Sequence, residues 1–222
     1  RNPLNAESSG ELLDILTSFK DNADVHVVIL TGTGAAFCAG ADLSIFKGVT
    51  DPEERLRRFK AQGKFNARFT AGIYDTLESL EQIFIAAVNG FAVGGGWTIA
   101  NSCDFRIAAE EAQFWVPEVD LGVPLGAPAA SRLTKLVGPS LAKEMIMTCN
   151  HYTARQLQAI GLVHQVVPKD QLTTATAALA EKLLSKKWLA LAQAKAIVHA
   201  AAGLRVAEGT AITPELLLAP KE

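Results

Sequence analysis

The hydrophobic pattern of this chain changes its period along its length. Leu12, Leu13, Leu16 and Phe19 recur at helical spacing, which predicts an amphipathic helix over 7–19. Residues 25–30 (VHVVIL) form a β-branched run ending at Thr31-Gly32, the pattern of a buried strand feeding a loop. A charged segment over 51–71 returns to helical spacing, with Pro52 where a first helical turn tolerates it. A further helix is predicted over 74–82, and strands at 84–88, 105–109 and 113–115. After Gly126 the helical period dominates, over 127–136, 140–148, 154–160, 171–185 and 189–202. One strand-like stretch, 162–167, interrupts it and ends at Pro168. Strands alternating with helices, then helices alone, predict an α/β core with a helical C-terminal part.

Composition narrows the class. Of 222 residues, 49% are hydrophobic and 20% charged, a globular balance and not that of a disordered chain. With 21 basic against 23 acidic side chains the formal charge is -2, so no basic footprint for nucleic acid is expected. Cys38, Cys103 and Cys149 are far apart and odd in number, which suits neither a disulfide framework nor a metal clip. A reducing, intracellular home is the expectation: the cytoplasm, with a mitochondrial or other organellar matrix left open. The first residues carry no signal-peptide core, and Ala219-Pro220-Lys221-Glu222 is no peroxisomal address. Residues 83–100 (IFIAAVNGFAVGGGWTIA) approach membrane-spanning length, but Asn89-Gly90 and Gly94-Gly95-Gly96 punctuate them and no basic cluster flanks them. A buried strand, a turn and a glycine-opened helix fit better, so no membrane partner is expected.

Several motifs fail on inspection. Gly32-Thr33-Gly34 follows a strand, but Phe37 stands where a dinucleotide fingerprint needs its third glycine. Neither a phosphate-cradling GxxxxGK[ST] loop nor a GxSxG elbow occurs. His26, His151, His164 and His199 are scattered, no two at metal-ligand spacing, so no metal is expected. Arg55, Arg57, Arg58, Lys60, Lys64 and Arg68 cluster on one predicted helix, where a solvated face is preferred to a phosphate-binding one.

Two glycine-rich elements and one carboxylate remain. Residues 36–43 (AFCAGADL) and 88–98 (VNGFAVGGGWT) each place glycines beside a strand, and the second opens a predicted helix. Glycine lets a ligand approach backbone N–H groups, and a helix start offers unpaired donors and a favourable dipole. Two such donors converging on one oxygen make an oxyanion hole; tight backbone packing explains the glycines equally well. Glu118 sits in an apolar, aromatic setting (FWVPEV), where desolvation raises a carboxyl toward the range of a general base. An ordinary ion-paired glutamate is the alternative.

In order, Asn2-Pro3-Leu4-Asn5, AFCAGADL, VNGFAVGGG, PEVDLG and TARQLQAIGLVHQVVP resemble the enoyl-CoA hydratase/isomerase (crotonase) family, from Asn2 to Pro168. The resemblance implies a spiral of ββα units in residues 1–138 and a C-terminal helical trimerisation region in 139–222. It implies homotrimers or dimers of trimers, acting on acyl-CoA thioesters with no cofactor besides the CoA of the substrate. The thioester oxygen is expected on the backbone N–H groups of Ala41 and Gly95. Leu4 and Ala39 match positions along the adenine and pantetheine path, Asp42 and Thr98 match positions lining the site, and Gly126 matches a glycine that helps hold water or substrate. The alanine- and leucine-rich C-terminal helices support assembly, because they carry more apolar surface than a short domain covers.

Glu118 matches the second of the two glutamates that hydratases use. The first has no match, since a GGGCE-like pattern puts it at position 98, which here is Thr98. A hydroxyl donates and accepts hydrogen bonds but is no carboxylate base near neutral pH. The extra aspartate of the dienoyl-CoA isomerase pattern falls on Gly126. One acid/base suffices for a 1,3 proton shift, so an enoyl-CoA isomerase-like reaction is preferred to hydration. Asp120, Glu110 or Glu111 supplying a second carboxylate keeps hydration open. Thioester hydrolysis, decarboxylation and non-catalytic acyl-CoA binding also stay open, and a nucleophilic Thr98 lacks a placed histidine. The tail 213–222 carries no match to the family's C-terminal CoA contacts, which leaves Lys60 and Lys64 as candidate partners of the CoA 3′-phosphate. The variable segment 46–74 is expected to shape the acyl pocket.

Overall fold

Consecutive strands of this chain go to different sheets. In the computed structural model, which describes residues 1–203 without the side chains at 45, 52, 55–56, 59–60 and 62–68, eight strands form two four-stranded sheets. The tail 213–222 and the Lys60 and Lys64 side chains lie outside the described residues. One sheet has the order β1 (Val27–Thr31), β3 (Ile83–Val88), β5 (Phe105–Ala109), β8 (Gln165–Val167), all parallel. The other has β2 (Ala36–Cys38), β4 (Phe91–Val93), β6 (Gln113–Trp115) and β7 (Tyr152–Thr153), with only the last pair antiparallel. Each pair of strands is followed by a helix: α2 (Pro52–Ser79), α3 (Gly95–Ser102) and α4 (Ala127–Thr148), after an N-terminal α1 (Ala6–Ser18). This is the spiral of ββα units expected from the sequence.

The buried strand β3 shows why. All six of its residues (IFIAAV) are buried, because parallel neighbours β1 and β5 flank it and both faces are covered. Between β1 and β2 and between β3 and β4 the chain turns a corner into the second sheet. A Cβ on Gly32 would lie 2.1 Å from Ala36 O, and one on Gly90 would lie 2.2 Å from Ala35 O. Asn89 ties the two corners together, accepting from Gly32 N at 3.1 Å and donating to Gly34 O at 3.0 Å.

The helices differ from expectation in one place. Helix α2 runs unbroken through 71–74, where two helices were predicted; Gly72 there lets α1 approach, since a Cβ on it would lie 3.1 Å from Leu13 Cδ2. Helix α4 agrees with the sequence: its two predicted halves are separated at Gly138, which leaves helical geometry (φ 78°, ψ 162°) before Pro139. Helix α5 (Ala154–Ala159), α6 (Leu172–Leu184) and α7 (Trp188–Ala201) complete the described chain, α6 packing Ala180 and Leu183 on Ile83 and Ile85 of β3. Lys195 fastens α7: its buried ammonium donates to Leu77 O (3.2 Å), Gln82 O (2.8 Å) and Asp104 Oδ2 (3.0 Å).

Arg106 fixes the helix that matters most. Its buried guanidinium donates to the carbonyls of Ala100 (3.2 Å), Asn101 (3.4 Å), Cys103 (2.6 Å) and Leu162 (2.6 Å). Three of these carbonyls lie at or just past the C-terminus of α3, where a cation also complements the helix dipole. Among the described residues, no helix is long and apolar enough to cross a membrane.

Candidate active site

The site forms where the AFCAGADL loop meets the start of α3. Leu4 forms a parallel bridge with Ala41: Leu4 N donates to Gly40 O (2.7 Å) and Asp42 N donates to Leu4 O (3.0 Å). In that pattern the bridging residue keeps its own N–H for its other side, so the Ala41 donor turns away from Leu4. Gly40 has φ 74°, and a Cβ on it would lie 2.5 Å from Val93 O and 3.5 Å from Gly95 N. The two loops therefore touch, backbone on backbone, at a point where only glycine fits.

Helix α3 starts at Gly95, after Gly94 at φ 49°, ψ -115°, whose N–H donates to Trp115 O at 3.0 Å. The Gly95 N–H belongs to the first helical turn, which has no internal acceptor and carries the positive end of the dipole. A Cβ on Gly96 would lie 2.3 Å from Cys38 O, so the helix start rests directly on β2. Ala41 and Gly95 thus offer two backbone donors on adjoining walls of a cavity of about 250 Å³, which Leu4 and Thr98 also line.

Glu118 reaches the same place from the turn after β6. Val123 N (2.9 Å) and Leu121 N (3.1 Å) donate to its carbonyl and hold the turn. Its carboxyl packs against Gly94: a Cβ there would lie 2.5 Å from Glu118 Oε1. Oε2 is buried with no hydrogen-bond partner among the described residues. Desolvation pushes this carboxyl above the ordinary glutamate value, partly offset by its own backbone N–H. Glu118, Ala41, Thr70 and Gly126 line both this cavity and an adjoining one of about 720 Å³.

Ala39 and Asp42 line the larger cavity. Asp42 Oδ1 accepts from Ser44 N at 2.9 Å, capping the short turn Leu43–Phe46, and that bond holds its carboxyl below the usual carboxylate range. Gly126, the N-cap of α4, faces open space, since a Cβ on it would meet nothing within 4 Å. The geometry brings together all eight residues singled out from the sequence.

The candidates for a second carboxylate fall elsewhere. Asp120 follows Glu118 in a turn, not an extended segment, so the two diverge and Asp120 is exposed. Glu110 pairs with Arg155 (2.5 Å) and Glu111 with Lys169 (3.9 Å), and neither lines these cavities. The described part of the basic cluster is a surface feature, with Arg57 and Arg58 each 2.7 Å from Glu54.

Tyr74 was not visible as a site residue in the sequence. It comes from the last two turns of α2, carries no motif, and lines the smaller cavity with a buried ring. Its hydroxyl donates to Gly95 O at 3.3 Å and is a hydrogen-bond neighbour of Thr98. Burial pushes the phenol well above its ordinary value, so it stays protonated near neutral pH. Arg132 stands behind it, 5.5 Å from the ring centroid and paired with Glu78 at 2.5 Å.

The spiral of ββα units thus sets two backbone donors and a desolvated glutamate around one cavity. Residues 1–220 match the enoyl-CoA hydratase/isomerase family. The chain belongs to that family, whose members include the crotonases. It is 39% identical over 199 residues to a crotonyl-CoA hydratase of Syntrophomonas wolfei, covering 89% of this chain and 73% of the relative. A short-chain-enoyl-CoA hydratase of Clostridium acetobutylicum is 38% identical, with 89% and 73% covered. Among solved structures, an enoyl-CoA hydratase of Bacillus anthracis superposes with a TM-score of 0.75 at 39% identity, covering 88% of this chain and 73% of that one. The chain is an acyl-CoA enzyme of this family, and the relatives' names favour hydration over the isomerase-like reaction preferred from the sequence.

Proposed function

We propose that this chain moves a proton on an acyl-CoA thioester through an enolate, shifting the double bond of an enoyl-CoA. The thioester oxygen accepts from Ala41 N–H and Gly95 N–H. Glu118 removes a proton from C2 of a 3-enoyl-CoA, and the electron pair is delocalised onto the thioester oxygen. Glu118 then returns the proton to C4, leaving the double bond between C2 and C3. Fixed N–H donors stabilise the developing negative charge most where water is excluded, and each is worth about 3 kcal/mol of barrier. No cofactor beyond the CoA of the substrate takes part, and the larger cavity, with Ala39 and Asp42, takes the CoA side.

The observation that carries this reading is the isolation of Glu118. Thr98 stands at the position of the other hydratase glutamate, Asp42 is engaged at Ser44, and Asp120, Glu110 and Glu111 line neither cavity. Hydration is the second reading, favoured by the names of the relatives. Purified protein incubated with matched 3-enoyl-CoA and 2-enoyl-CoA in deuterated water separates the two. Double-bond migration with deuterium exchange and no added water is expected; net hydration of the 2-enoyl-CoA refutes the single-base reading.

We further propose that the protein works as a homotrimer or a dimer of trimers. Leu184 on α6 and Leu189, Ile197 and Val198 on α7 support this, each being about half exposed or more. Light scattering that gives the monomer mass at micromolar concentration refutes it.

A further inference from the structure

Thr98 replaces a carboxylate, and its hydroxyl does what an ionised carboxylate cannot, because it donates. Its Oγ1 donates to Gly94 O at 3.1 Å, and its own backbone N–H donates to the same oxygen at 3.0 Å. That carbonyl belongs to the peptide whose other end is the Gly95 N–H. A peptide is one conjugated unit, so hydrogen bonds received at its oxygen polarise the N–H at its far end, by about 10–30% per bond in a chain of bonds. The surroundings hold the arrangement in place. Thr98 is 6% exposed, and the close contact of Gly96 with Cys38 fixes the helix start.

Ser102 makes the same kind of bond one turn later, donating to Thr98 O at 2.7 Å. The N–H at the far end of that peptide is inside the helix and belongs to its hydrogen-bond ladder. At Thr98 the far end is the first N–H of the helix, free of any helical acceptor and lining the reactive cavity. The two hydroxyls therefore share a geometry but differ in what they act on.

We propose that Thr98 is a positioning residue of the oxyanion hole, its hydroxyl loading the Gly94 carbonyl and so orienting and polarising the Gly95 N–H toward the thioester oxygen. This rests on the reading above that Gly95 N–H receives that oxygen.

The test is the absorption red shift of a bound 3-aryl-2-propenoyl-CoA, whose chromophore includes the thioester carbonyl and reports its polarisation. Thr98→Val keeps the shape and removes the donor; Thr98→Ser restores it; Ser102→Ala removes the comparable bond one turn away. The expected result is a red shift in the parent protein, reduced in Thr98→Val, recovered for the most part in Thr98→Ser and unchanged in Ser102→Ala. Turnover of the 3-enoyl-CoA by Thr98→Val should fall about two- to fivefold in kcat with KM little altered. If Thr98→Val does not fold, Thr98→Ala carries the same comparison. A parent red shift that persists undiminished in the hydroxyl-free variant overturns the proposal and leaves the oxyanion hole standing. No red shift in the parent overturns the site reading itself, and the proposal with it.

Discussion

Gly96→Ala tests whether the start of α3 is the catalytic donor. An added Cβ would lie 2.3 Å from Cys38 O and 2.6 Å from Cys38 Cβ, where ordinary van der Waals contact begins near 3.4 Å. The obstacle is the backbone and Cβ of a buried strand, so no flexible side chain can swing aside. Helix α3 or β2 has to retreat by about 1 Å, and the Gly95 N–H next in sequence moves with it. Overpacking of this kind costs about 1–3 kcal/mol of stability. A displacement of about 1 Å at a reacting group costs on the order of a hundredfold in rate. Steady-state turnover of the preferred enoyl-CoA, with thermal unfolding in parallel, reads both quantities. Turnover within about threefold of the parent in a folded variant refutes the reasoning, because a donor whose position does not matter is not part of an oxyanion hole.

Glu118→Gln should lower kcat by about 10²–10⁴ while stabilising the fold. Burial raises the folded-state value of this carboxyl above its ordinary 4.5, so its stabilising proton is held below that value and lost as pH rises through the raised one. The stability advantage of the glutamine variant should therefore grow as pH rises from about 4.5 through the raised folded-state value and then level off, and a pH-independent melting difference across that range would count against a desolvated Glu118. Arg132→Met leaves the buried Glu78 carboxylate without its cation and should cost about 3–5 kcal/mol in denaturant unfolding. The double change with Glu78→Leu should recover most of that loss, and a single-variant loss below about 1 kcal/mol would show the pair to be dispensable.

The parts of the site that were legible in the sequence are those written in backbone chemistry. Gly40 and Gly96 mark positions where backbone passes close to backbone, and Gly94 and Gly95 positions where the side chains of Glu118, Leu4 and Tyr74 close on the chain; such positions leave their trace as glycine runs beside a strand. Glu118 was legible because a carboxylate among Phe114, Trp115 and Val116 is conspicuous. Tyr74 was not, since its place depends on how α2 packs over α3, and the helical period that predicts α2 says nothing of that partner. The same applies to Asp120, whose two-residue offset from Glu118 puts both on one face in a strand and separates them in the turn that actually forms. Strands β2, β4 and β7 are three, three and two residues long, too short for a period to register, and β6 is as short but carries the aromatic pair Phe114-Trp115. They exist as strands because they pair with one another and with β6 across the second sheet, a relation between distant segments.

The site divides into a part that cannot vary without moving the fold and a part that can. The two donors are backbone groups, set by the contact of one spiral corner with the next, and a side chain at Gly40 or Gly96 would collide with carbonyl oxygens of Val93 or Cys38. On the proposed reading, such a frame stabilises a thioester enolate whatever is done with it afterwards. The fate of the enolate then depends on side chains that merely face the cavity, namely Thr98, Tyr74 and Glu118. On that reading, Thr98 in place of the glutamate implied by the family resemblance leaves the frame intact, supplies no acid/base and adds a donor aimed at the frame itself. On this argument Thr98→Glu should gain hydration of a 2-enoyl-CoA and lose oxyanion polarisation in the same variant. A gain of hydration with the bound-ligand red shift undiminished would separate the two effects and show that the threonine hydroxyl does not serve the frame.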